Sequence, residues 1–150
     1  MTYITAPVGH QPSKTYMTQV SLSSDTAFTS GNTVPLDTIT TSHSSLSRVS
    51  VSSNVVTLGA GDYVIFGAVA IDRSVDTDTY TVDFYDNATS TLLLISDGWM
   101  GAKHHEADAS GSLVLQAQVR LASPVSFYLQ STGSSGTVKA DGTYLMILEV

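Results

Sequence analysis

The densest set of potential ligands in the sequence is His104-His105-Glu106-Ala107-Asp108. Imidazole nitrogens and a carboxylate suit zinc or another transition metal. Adjacent residues of an extended chain point to opposite sides, so both rings could reach one ion only from an unusual loop. No His-x-x-x-His pair is present to set two rings on one helical face, and the cluster reads as a solvated loop without a resident metal. A second set, Asp72, Asp76, Asp78, Asp83 and Asp86, offers the oxygen ligands calcium takes. It lacks the acid spacing of an EF-hand loop, and acids are ordinary at strand edges, so no cofactor is assigned. Trp99, flanked by Gly98 and Gly101, could stack on a sugar or plug the end of a β-sandwich. With His104 and His105 it defines a possible ligand loop. Covalent catalysis has little to work with: there is no cysteine, no Gly-x-Ser-x-Gly elbow and no glycine loop with a phosphate-binding Lys. The chain is read as a non-enzyme. Asn87-Ala88-Thr89 matches a glycosylation acceptor and reads as a turn.

The 150 residues make one domain, large enough to bury a core. Hydrophobic content is 42% and charged content 13%, so Ser, Thr, Asn and Gln must supply most of the surface polarity. That profile suits strands and polar turns. Thirteen acidic against six basic residues give a formal charge of −7. Such a surface repels nucleic acid and anionic membrane, and neither is expected as a partner. No apolar run reaches membrane-spanning length. The first residues lack the basic start and apolar core of an export signal, so the chain is expected to be made and released in a cytoplasm.

The elements that would position these groups are strands. Gly59-Ala60-Gly61-Asp62 forms a glycine-rich turn. The run that follows shows Tyr63, Ile65, Gly67, Val69 and Ile71 on one face and Val64, Phe66, Ala68 and Ala70 on the other. Neither face is polar, which predicts a central strand covered on both sides. Residues 1 to about 30 carry Pro7, Pro12 and scattered apolar side chains and predict an extended N-terminal arm with at most one strand, Thr15–Leu22; the alternative reading is an ordinary first strand with a frayed terminus. Thr33-Val34-Pro35-Leu36 predicts a short edge piece. Arg48–Val51 and Val55–Leu58 flank a hairpin turn at Ser52-Ser53-Asn54. Thr79–Tyr85, Ser112–Leu121 and Val125–Ser131 alternate, with Tyr80, Val82, Phe84, Leu113, Leu115, Ala117, Val119, Leu121, Val125, Phe127 and Leu129 facing in. Residues 97–111 predict a long polar loop. The closing strand sets Tyr144, Met146, Leu148 and Val150 on one face and Leu145 and Ile147 on the other. It should be central in its sheet, its outer face either buried in its own domain or meeting another subunit. About eight to ten such strands predict an all-β antiparallel sandwich or barrel over residues 31–150.

The order of Val34-Pro35-Leu36-Asp37, Val55–Leu58 leading through Gly59–Tyr63, Leu113–Leu121 and Gly142–Ile147 resembles the jelly roll of tumour-necrosis-factor ligands and complement globular heads. The resemblance spans roughly residues 33–150. It implies a jelly roll that assembles as a homotrimer, with Tyr63 and Tyr144 matching the aromatic residues near the three-fold axis and Met146 and Leu148 beside them. Asp141-Gly142-Thr143 stands where that family has an aromatic-Ser-Gly motif. A short, cysteine-free, Ser/Thr-rich version is more similar to the small virion proteins of tailed bacteriophages. The expectation is therefore a capsid decoration (cement) protein on the surface of a virion. Its partners would be its own copies and a major capsid protein, attached through Tyr3, Ile4, Val8 and Tyr16 of the arm. The rival expectation is a fibre-tip or adhesin module that binds a host-surface glycan through the loop around Trp99.

Overall fold

The computed structural model describes residues 16–29, 31–41, 48–73, 80–93, 98–102, 110–132 and 136–150. Twelve strands run through them. They are β1 (Tyr16–Ser21), β2 (Thr26–Phe28), β3 (Thr38–Thr41), β4 (Val49–Ser52), β5 (Val55–Leu58) and β6 (Gly61–Arg73), followed by β7 (Thr81–Asp86), β8 (Gly98–Ala102), β9 (Ser110–Leu121), β10 (Val125–Thr132), β11 (Gly136–Val138) and β12 (Tyr144–Glu149). They form two antiparallel sheets, an eight-stranded one built on β6 and a four-stranded one in the order β4-β5-β10-β7. This is a jelly-roll sandwich.

β6 is central, as its doubly apolar sequence predicts. β9 pairs along one side of it, from Gly61 opposite Leu121 to Asp72 opposite Ser110. β12 and β11 share the other side, with Tyr144 opposite Ala68 and Val138 opposite Ile71. β1 lies beyond β12, β3 beyond β1, β2 beyond β11 and β8 beyond β9. The closing strand β12 is therefore central too, between β6 and β1. Tyr63, Ile65, Val69 and Ile71 of β6 enter the core beside Leu145 and Ile147 of β12 and Leu113, Leu115, Ala117 and Val119 of β9. Val56, Leu58, Val82, Phe84, Phe127 and Leu129 meet them from the smaller sheet. Phe84 and Phe127 pack edge to face, their centroids 5.4 Å apart, the arrangement the ring quadrupoles favour.

Local chemistry fixes the joints. In the β4–β5 turn, Ser53 and Asn54 have φ of 50° and 66°, the doubly left-handed geometry that matches a two-residue hairpin to strand twist. After β7, Asp86 Oδ1 accepts the backbone N–H of Ala88 at 2.6 Å and of Thr89 at 3.2 Å, which turns the chain back beside Phe84. Arg48 lies across the entry to β6. Its Nη1 donates to the carbonyl of Ala60 at 2.5 Å and its Nε meets Glu149 at 3.0 Å. A Cβ on Gly59 would fall 3.0 Å from the Cβ of Arg48, so this glycine leaves the arginine its path.

Two expectations are corrected. The arm does not extend to residue 30: β1 and β2 belong to the larger sheet, and Val20 and Leu22 are buried in the core. Sparse apolar residues suffice because β12 and β3 template β1 from both sides, and only Thr18 and Val20 of its middle need face inward. Residues 98–102 are strand β8 and not loop, held by the long β9 although their sequence has no alternation. Thr33-Val34-Pro35-Leu36 pairs as the short edge piece expected: Thr33 is bridged to Gln130, the Val34 N–H reaches the carbonyl of Leu129 at 2.8 Å, and Val34 and Leu36 are fully buried. Pro35 cannot extend that pairing into a ladder.

Candidate interaction face

The outward side of the larger sheet follows from its register. Val64 of β6 lies opposite Gln118 of β9 and Leu148 of β12, and Leu148 lies opposite Met17 of β1. One row along, Gln116, Phe66, Met146 and Gln19 line up, and in the next Val114, Ala68, Tyr144 and Ser21 do so. Directly opposed residues share a face and lie within contact reach. The result is one apolar field of Met17, Val64, Phe66, Ala68, Val114, Tyr144, Met146 and Leu148. Phe66 is 42% exposed, Met17 40% and Val114 58%. Polar residues confine the field on the β9 side. There Gln116, Gln118 and Arg120 are exposed, and Arg120 Nε meets Asp62 Oδ1 at 2.7 Å. Both partners are well exposed, so that pair contributes little to stability.

The opposite outer surface, on the smaller sheet, is built differently. Ser50, Ser52, Thr57, Ser126, Gln130, Thr81 and Asp83 face out there, and the Thr57 and Ser126 hydroxyls bond at 2.7 Å. The smaller sheet's outward side is thus mostly polar, crossed by a single row of Val55, Tyr128 and Tyr85, whereas the larger sheet's is broadly apolar. Alternating strands with a solvated outer face are ordinary. An outer face of Phe, Met, Val, Leu and Tyr is a surface that gains from being covered.

The residues singled out in the sequence divide accordingly. Tyr144, Met146 and Leu148 come together on the apolar face. Tyr63 does not: it is fully buried between the sheets, and its hydroxyl donates to the carbonyl of Gly59 at 3.0 Å. Its expected place at a subunit interface is corrected. The physical reason is its register opposite Glu149, one of the inward-facing positions of β12. Burial pushes the Tyr63 phenol above its ordinary pKa; the Glu149 charge adds to this and Arg48 opposes it. Tyr16 opens β1 opposite Glu149 and is half-buried. Tyr3, Ile4 and Val8 lie outside the described residues, as do His104 and His105. Trp99 sits on β8 at the register of Gln118. Asp76 and Asp78 are likewise outside, and Asp86 is committed to its turn. Among the described residues, no three His, Cys, Asp or Glu side chains gather as a metal site.

An open cleft of about 400 Å³ lies at the far end of β6, lined by Ala70, Ile71, Asp72, Gly111, Ser112 and Lys139. The Lys139 ammonium is paired with Asp25, which holds the lysine pKa above and the aspartate pKa below its ordinary value. That neutralised cation leaves the cleft with little to bind an anion.

Phe66, Val114 and Met17 were not singled out as site residues. The alternation of β6 places Phe66 on the face opposite Tyr63, but only the β6–β12 register joins it to Met146.

No protein-family model and no curated protein sequence matches the chain. Solved structures do. Murine APRIL superposes with a TM-score of 0.64 at 11% identity, covering 91% of this chain and all of that one. Eiger TNF from S. frugiperda gives 0.60 at 10% identity, covering 91% of each. The fold is a tumour-necrosis-factor-like jelly roll. The likeness covers 91% of the chain with almost no shared sequence, so it speaks for the architecture of the sandwich and for nothing beyond it.

Proposed function

We propose that this jelly roll is a non-enzymatic structural protein that assembles as a homotrimer through the outer face of its larger sheet and coats a particle surface as a capsid decoration protein. The observation that carries the reading is the apolar field of Phe66, Met146, Leu148, Val114 and Met17. Covering those side chains contributes about 25 cal/mol for each Å² removed from water. The resemblance to trimeric jelly rolls supports three copies around an axis, each offering this face to its neighbours. Ser and Thr on the smaller sheet's outer side suit the surface turned to solvent. Residues 1–15 join the body at Tyr16, opposite Glu149 near the C-terminus, and attach the trimer to a shell.

The test has two parts. Sedimentation of the purified protein with and without Phe66→Glu reads the assembly: the substitution places a charge in the centre of the field and should leave a folded monomer. Quantitative mass spectrometry of purified virions reads the setting. Hundreds of copies per particle support decoration. A handful would mean a fibre component, and none would remove the virion reading.

A further inference from the structure

The outer side of the smaller sheet carries a second feature. Tyr128 of β10 lies opposite Tyr85 of β7, and the two rings stack at 5.7 Å with 22° between their planes. Tyr85 is bridged on its other side to Leu92, which is 51% exposed. Val55, next along β5 from the Val56–Phe127 pair, continues the row on the other flank. Val55, Tyr128, Tyr85 and Leu92 therefore form a strip one residue deep running across the strands. With neighbouring strands about 4.8 Å apart, it is about 14 Å long.

The rows beside the strip are polar. On one side the Thr57 and Ser126 hydroxyls bond to each other. On the other, Gln130 donates through Nε2 to the Gly31 carbonyl at 2.6 Å, which leaves its amide oxygen as an acceptor, and Asp83 lies opposite it in the ladder. Among the described residues, no Lys or Arg faces out from these four strands.

We infer that this strip is a binding site for a neutral oligosaccharide. A pyranose ring presents a narrow face of C–H bonds with hydroxyls around its rim. A single aromatic row between two rows of hydroxyl, carboxamide and carboxylate groups is the complement of that shape. A protein hot spot asks for a wider dry centre. The absence of cations, together with Asp83 beside the strip, disfavours anionic glycans such as those ending in sialic acid. The site is on the sheet face opposite the proposed assembly face. A trimer would therefore display three outward strips, and weak single contacts would add by effective concentration. Only that gain in avidity rests on the proposed assembly.

Saturation-transfer NMR with cellotriose, maltotriose, N-acetylchitotriose and sialyllactose tests the site on the full chain and on Tyr128→Ala, Tyr85→Ala and Leu92→Asp. Leu92 is exposed and tests the strip should a tyrosine variant fail to fold. Saturation transfer to at least one neutral probe is expected. Affinity should fall roughly tenfold or more on loss of one stacked ring, with an unchanged melting curve. Phe66→Glu should remove avidity and keep single-chain binding, so failure of the assembly is read apart from failure of the strip. The inference is overturned by silence with every neutral probe at millimolar concentration, by binding that survives the strip variants, or by preference for sialyllactose.

Discussion

Gly67 has no room for a side chain. A Cβ at this position would lie 2.5 Å from the Tyr144 carbonyl oxygen and 2.5 Å from Leu145 Cδ2. One obstacle is backbone, so the clash cannot be relieved by turning a side chain. Gly67→Leu should destabilise by roughly 1–3 kcal/mol or more through overpacking, and Gly67→Ala should already lower the denaturation midpoint. An unchanged midpoint would contradict the close approach of β12 to β6. Tyr63 is the second residue with a measurable signature. Because its folded-state pKa is raised, its contribution to stability is fully present below the ordinary phenol value and is lost as pH rises through the raised value. Tyr63→Phe should cost about 1 kcal/mol at neutral pH for the lost hydrogen bond to Gly59. It should also flatten the fall in melting temperature above the ordinary phenol value of 10.0. Identical alkaline slopes for both proteins would mean the phenol is not held neutral by the fold.

At the scale of elements, β1 decides where the body of the protein begins. Its pairing with β12 and β3 makes it an interior strand of the larger sheet. Deletion of residues 1–15 should leave a cooperative melt, whereas deletion of 1–24 should abolish it by removing Val20 and Leu22 from the core and uncovering an edge of β12. Circular dichroism with thermal melting separates the two, and a cooperative melt for the longer deletion would contradict the assignment. The link after β1 is tied by Asp37. It accepts the Ser23 hydroxyl at 2.6 Å and the Ser23 N–H at 2.8 Å. The Ser23 hydroxyl, with Thr38 and backbone donors behind it, holds its pKa below the ordinary 3.8. The stabilisation is present above that value and lost as pH falls through the lowered one. Asp37→Asn should therefore show a shallower acid decline in melting temperature than the parent protein; a decline of equal slope would mean the carboxylate is not specifically held. These elements also show what the sequence made legible. Strict alternation in β7, β9 and β10, and two apolar faces in β6 and β12, revealed those strands and their inward residues. β2, β3 and β8 escaped because short strands of Thr, Gly and Ala carry no period of their own and exist only by pairing with longer neighbours. The candidate face was half legible: Tyr144, Met146 and Leu148 follow from one strand's alternation, but Phe66, Val114 and Met17 join them only through register. That register also carried Tyr63 to the opposite side.

At the scale of the molecule, the sandwich has one outer side broadly apolar and the other mostly polar apart from its single aromatic row, and the chain carries a net charge of −7. Charge of one sign opposes association through solvated surfaces, so any self-association must use a face where burial outweighs repulsion. The larger sheet offers such a face, with Asp62 at one rim paired to Arg120 and Asp72 at the far end of β6, outside the apolar field. The account therefore expects assembly that is insensitive to moderate salt and strongly sensitive to a charge placed at Phe66. The most direct test is sedimentation velocity of the intact chain and of Phe66→Glu at micromolar concentration. The account predicts a particle of three times the 15.8 kDa chain mass for the parent and a folded monomer for the variant. A parent that sediments as a stable monomer, or a variant that remains trimeric, would contradict it.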